Sequence, residues 1–247
     1  MGLFDFLSGS GGSVKKLVAK ANNKDSQSVD RWKALEQLRD EGSDEALGGL
    51  LRRFSFVYDK TIEDEQEKQW VHDTLVGMGE KIIPAIEKNV LGADSISWQL
   101  KVLAHVAEHE KAWGVLEKVI AANNNEYVRD PSKKIQLITF VGEEFHDPRA
   151  ARALGQYLED MDETVRFNTV EALLAQKDEE AAREPLLKLL IDEKEESRRI
   201  KIRILDGFAE VGWNTHGYKG QVEKVCEAIG RGHSIDGKGR IRKAGAK

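Results

Sequence analysis

Polar and apolar positions keep helical time most clearly between residues 162 and 191. In the segment DETVRFNTVEALLAQ, Phe167, Val170, Leu173 and Leu174 fall on one face of a helix. A tight joint at Asp178 follows, and then a second apolar run, PLLKLLID. The predicted unit is a pair of antiparallel helices. Its wording recurs: Asp147, Ala150, Ala151, Arg152 and Leu158 return as Asp178, Ala181, Ala182, Arg183 and Leu189, each 31 residues later. Pairs repeated in this way bury their apolar stripes only against their neighbours, which is the construction of an α-solenoid.

Capping residues and breakers place further joints near Ser43, Gly79, Glu110, Asp147, Asp178 and Asn214. About six antiparallel helix pairs follow, in an all-α solenoid expected to run as one body over residues 13–230. The first pair aligns with the fifth, Trp32, Leu35 and Leu38 matching Phe167, Val170 and Leu173. Pro84 in IIPAIEKNVL matches Pro185, and a proline recurring there marks a bent or restarted first turn of the second helix. The sixth pair departs most from the pattern, as a terminal cap would. Before the repeats, residues 1–12 read as an apolar plug, Leu3, Phe4, Phe6 and Leu7, on a Gly/Ser tether. The plug either covers the first repeat's apolar face or docks on a membrane surface or in a partner's groove. After the repeats, residues 231–247 carry six basic side chains against one Asp, with too little apolar area to fold. Such a tail touches nucleic acid, an acidic protein or an anionic membrane, or only keeps the chain soluble.

The order of D-x-x-A, an apolar second helix with an early Pro, then D-x-x-V-R opening the next helix, resembles the HEAT-like repeats of the phycocyanobilin-lyase type. DETVR at residues 162–166 and VDR at 29–31 carry the opening, and the resemblance covers roughly residues 26–229. It implies a curved α-solenoid whose second helices line the inner face. It does not imply one activity, because the group includes scaffolds, chromophore lyases, hydroxylases and DNA-repair enzymes. The di-iron hydroxylases of this class hold their metals with four His-Glu dipeptides, and this chain has one, His109-Glu110.

Charge changes the picture little: 38 basic against 43 acidic residues argue against a nucleic-acid footprint over the whole body. One cysteine, Cys226, excludes an internal disulfide, and its place among Val222, Val225 and Ile229 reads as core. With no apolar run of transmembrane length and no secretory signal pattern, a cytoplasmic location is expected.

Candidate chemistry is sparse. His105, Glu108 and His109 form H-x-x-E-H, a spacing that on one helix presents two zinc ligands and a base. No third ligand is indicated, so no metal or other cofactor is expected. Arg166 reads as a structural residue, pairing with the Asp of a neighbouring repeat's turn. Trp32, Trp70 and Trp98 read as packing anchors. Equivalent points on successive second helices give a column, Arg53, Lys88, Lys118, Tyr157 and Lys188, that on a concave face suits an acidic peptide or a phosphate backbone. The expected function is a non-enzymatic protein-interaction module or scaffold using that face. The alternatives are a nucleic-acid-binding repeat protein using the column and the basic tail, and a chromophore-lyase-like or metal-dependent enzyme.

Overall fold

The computed structural model describes residues 5–230 and 232–244, with residues 5–11 as backbone only. Among these residues there are 13 α-helices, three 3-10 turns and one two-stranded hairpin. The protein is all-α, and the six expected helix pairs are present. They fall into two compact units, Met1–Val119 and Ile120–Lys247, where one continuous body was expected.

In the first unit, α2 (Ser28–Glu41), α4 (Thr61–Gly77) and α6 (Ser97–Val106) pack side by side. A second layer is made by α1 (Asp5–Ala21), α3 (Asp44–Arg52) and α5 (Ile83–Gly92), and α7 (His109–Ala122) runs across the division between the units. The core between the layers is aliphatic, with Leu35, Leu38, Leu50, Leu51, Leu75, Ile86 and Leu100 out of solvent. The joint between α2 and α3 shows why the chain turns where it does. Gly42 takes the left-handed conformation that ends α2, and Ser43 then caps α3 by accepting from the Ala46 N–H. At α5 the expected restart is seen, since a 3-10 turn, Gly79–Ile82, precedes it and Pro84 sits in its first turn, where a missing N–H costs nothing.

The second unit repeats the scheme. Helices α8 (Ser132–Glu144), α10 (Glu163–Gln176) and α12 (Arg198–Val211) form one layer, and α9 (Pro148–Leu154), α11 (Glu179–Ile191) and α13 (Lys219–Ile229) the other. Asp147, Asp178 and Ser197 cap α9, α11 and α12 through their side chains. Pro185 lies inside α11, so here the proline marks no restart.

Both flanks differ from expectation. The Gly/Ser stretch taken for a tether is helical, because α1 runs unbroken from Asp5 to Ala21. Glycine in a helix costs about 1 kcal/mol and does not forbid it, and burial of Val14 and Ala21 anchors the element. Phe6 and Leu7 therefore belong to α1, while Leu3 and Phe4 lie outside the described residues. The tail is likewise folded over most of its length. Strands β1 (His233–Ile235) and β2 (Ile241–Lys243) pair antiparallel, with Ile235 opposite Ile241. Ile241 is buried, His233 and Lys243 bond the two oxygens of Asp206 on α12 at 2.7 and 2.9 Å, and the Thr215 N–H reaches the Gly239 carbonyl at 2.7 Å. Few apolar residues suffice because the hairpin borrows the end of an existing core.

Candidate functional site

A groove of roughly 1250 Å³ runs along α1, α3 and α5 in the first unit. Its width comes from small residues. Ala19 on α1, Gly48 and Gly49 on α3, and Ala85 and Gly92 on α5 all line it. Gly49 is small by necessity, since a Cβ there would sit 2.5 Å from Cγ2 of Val18. Gly48 is not: a Cβ there would meet nothing within 4 Å, so its smallness leaves the groove open without serving the packing. The floor is tied laterally by Asn22, whose Nδ2 donates to the Gly49 carbonyl at 3.1 Å, and on the far side Asn89 accepts from buried Gln99 at 3.0 Å.

Lys15, Arg52 and Lys88 line the same groove and are solvent-exposed. Among the described residues none of the three is in an ion pair. Two acids, Asp44 and Glu45, also line it, but they occupy the first turn of α3, where the helix N-terminus offsets negative charge. Lys15 and Lys88 sit mid-helix with no such counter-charge. The uncompensated charge of the groove is basic.

The five-residue column expected on the second helices is only partly realised. Lys88 lines the groove. Lys118, on α7, is exposed but paired at 2.7 Å with Glu87 of α5, and Lys188, in the second unit, is paired at 2.9 Å with Glu184. Arg53 and Tyr157 are fully buried, which corrects their assignment to a surface. Both stand in 3-10 turns that end a second helix, Arg53–Ser55 and Gly155–Glu159, where tighter winding rotates a side chain off the α-helical column. Tyr157 donates to the Asn123 carbonyl at 2.5 Å, and burial raises its hydroxyl far above the ordinary tyrosine range. Arg53 donates to Asp64 at 2.6 Å and Glu67 at 2.8 Å, inside a buried cluster completed by Arg31 and Lys68. Sequence reasoning missed Lys15 and Arg52. The stripe Ala46, Leu50, Arg53, Leu47, Leu51, Phe54 already places Arg53 on the apolar side and leaves Arg52 outside it.

The H-x-x-E-H residues do not share a helix. His105 is in the last turn of α6, and His109 opens α7 after a break at residues 107–108. The one-turn spacing that would aim both imidazoles at one ion is absent, and among the described residues no group of three or more His, Cys, Asp or Glu could hold a metal. Cys226 is buried, and burial pushes its thiol up. Arg166 staples successive repeats as expected, though to a glutamate: it donates to Glu195, in the turn before α12, at 2.7 and 3.2 Å. Trp32 packs edge-on against Trp70 of the neighbouring repeat at 5.6 Å, and Trp98 on α6 stacks at 5.6 Å on Phe54, in the turn that ends the first repeat.

Side-by-side first helices, side-by-side second helices and joints capped by Ser43, Asp147 and Asp178 define an all-α helical-repeat protein. More narrowly, residues 120–205 match the family model of HEAT repeats, and the chain is a HEAT-like repeat protein. The match is to HEAT repeats at large and does not single out the phycocyanobilin-lyase type. No curated protein matches the chain. No helix among the described residues is long and apolar enough to cross a membrane.

Proposed function

We propose that this chain is a non-enzymatic interaction module, and that the groove along α1, α3 and α5 receives an acidic segment of a protein partner. Repeat proteins of this class offer extended helical surfaces to partners, and an amphipathic segment lying in a groove between helices is a common mode of recognition. The observation that carries the reading is the open floor at Gly48 beneath three unpaired cations. A small-residue floor lets a backbone approach closely, while Lys15, Arg52 and Lys88 select carboxylates on its flanks. Such charges contribute more to selectivity and encounter rate than to affinity.

The test uses Gly48→Trp, which fills the floor from a position where added atoms meet open space, together with Lys15→Glu/Lys88→Glu, which inverts the rim. A displayed library of helical peptides selected on the full chain should yield acidic sequences. They should lose binding to Gly48→Trp and weaken on the charge-inverted variant, with circular dichroism unchanged in both. Selected peptides that bind Gly48→Trp as well as wild type would overturn the groove assignment.

A further inference from the structure

His105 loses the partner that its sequence motif offers and gains one from the preceding repeat. Its ring lies 5.2 Å, centroid to centroid, from that of His72 on α4, with the planes at 89°. Each ring is already oriented through Nδ1. His72 Nδ1 lies 2.9 Å from Asp73 Oδ1, and His105 Nδ1 lies 2.8 Å from the Lys101 carbonyl oxygen. An acceptor at Nδ1 fixes the proton there and leaves the lone pair on Nε2, the tautomer in which histidine ligates metals. Among the described residues neither Nε2 has a hydrogen-bond partner. Carboxylate and carbonyl acceptors behind two imidazoles are the outer-shell pattern of metal-bound histidines.

The separation fits as well. With metal–nitrogen bonds of about 2.0–2.1 Å, two imidazoles on one ion at a tetrahedral angle hold their centroids about 5 Å apart. The surroundings do not oppose it: the His72 side chain is 12% exposed, His105 is solvent-exposed, and the Trp98 ring forms a wall 6.0 Å from His72.

We propose that His72 and His105 form a two-histidine clamp for a divalent transition-metal ion, bridging α4 and α6, with water filling the remaining coordination positions. Asp73 is its positioning residue. Imidazole donors suit Cu2+, Ni2+ and Zn2+, and Cu2+ should bind most tightly of the three.

The experiment titrates the full-length protein with Cu2+, followed by electron paramagnetic resonance, and with Zn2+ by calorimetry. The expected result is one ion per chain with nitrogen hyperfine structure, and a rise in melting temperature with Zn2+. His72→Ala and His105→Ala should each lower affinity by at least about tenfold, since even outer-shell changes cost that much, and Asp73→Ala should lower it by about tenfold. His109→Ala should bind as wild type does, which separates this pair from the H-x-x-E-H reading. Lack of stoichiometric binding would overturn the proposal, as would copper bound equally by the His72→Ala/His105→Ala double variant, whose fold is checked by circular dichroism.

Discussion

The buried charge cluster of the first unit makes the strongest quantitative prediction, because its members are unequal. Arg31, Arg53 and Lys68 face Asp64 and Glu67, and all five are less than a tenth exposed. Glu67 accepts from two arginines, Arg31 at 3.1 Å and Arg53 at 2.8 Å, whereas Asp64 accepts from Arg53 at 2.6 Å and Lys68 at 2.7 Å. Glu67→Gln therefore leaves Arg53 and Lys68 to share Asp64, and leaves buried Arg31 with only a 4.0 Å approach to Glu63. Breaking a buried pair from one side costs about 3–5 kcal/mol, a large share of a domain's total stability of about 5–15 kcal/mol. Arg53→Met deletes three donors but leaves two intact pairs, Arg31 with Glu67 and Lys68 with Asp64, so the loss should be about 1–3 kcal/mol. In the double variant the two costs should fall short of their sum by about 0.5–3 kcal/mol. Urea unfolding followed by circular dichroism and tryptophan fluorescence measures all three. A Glu67→Gln cost no larger than that of Arg53→Met would refute the reasoning, and so would losses under about 1 kcal/mol, the range of exposed pairs such as Lys118 with Glu87. The acid limb provides a second check. Burial pushes Asp64 up, but hydrogen bonds from Lys68 and Arg53 outweigh it and hold the group below the usual carboxylate range. Its contribution is complete above the unfolded-state pKa and is lost as pH falls through the lowered folded one. Removing Arg53 weakens that hold, so Arg53→Met should begin to unfold at a higher pH than wild type.

Two further expectations come from the backbone. A Cβ at Gly142 on α8 would lie 2.8 Å from Cα of Ala172 on α10, an atom that cannot swing aside; Gly142→Ala should cost about 1–3 kcal/mol, while Gly48→Ala, in open space, should gain about 0.5–1 kcal/mol, and equal shifts in the urea midpoint would contradict the close approach. In the hairpin, Asp236 is lowered to about 2, first by the Arg240 backbone N–H, with the Arg242 guanidinium and the Lys238 N–H adding to it. The contribution of Asp236 should be intact above about pH 4, the ordinary aspartate range, and fade toward pH 2; a carboxyl carbon shift with its midpoint near 4 would show that the turn is not formed.

How far the residues alone could be read depends on what each signal averages over. Helix pairs and joints were legible because capping and the apolar stripe are local and recur: Ser43, Asp147 and Asp178 each close a turn with their own side chains, so no distant contact is needed to place them. The column failed at Arg53 and Tyr157 because equivalence was counted from one repeat to the next, and a 3-10 turn at the end of α3 or α9 changes the count without changing the spacing of the repeats. The apolar stripe within each helix held the answer, since Tyr157 stands three residues after buried Leu154 as Arg53 stands three after Leu50. Composition misled at the tail. The six cations hid a short alternating pattern, Ile235 and Ile241 around Asp236-Gly237, that marks a hairpin, and two of those cations, Arg242 and Lys243, are taken up by Asp236 and Asp206. The pairing of His72 with His105 was illegible for a different reason: it depends on the lateral stacking of α4 on α6, which a one-chain motif such as H-x-x-E-H does not encode. Cross-repeat chemistry is found by asking which residues share a position on adjacent first helices, and the same question, put to the layer of α1, α3 and α5, picks out Lys15, Arg52 and Lys88 around the groove.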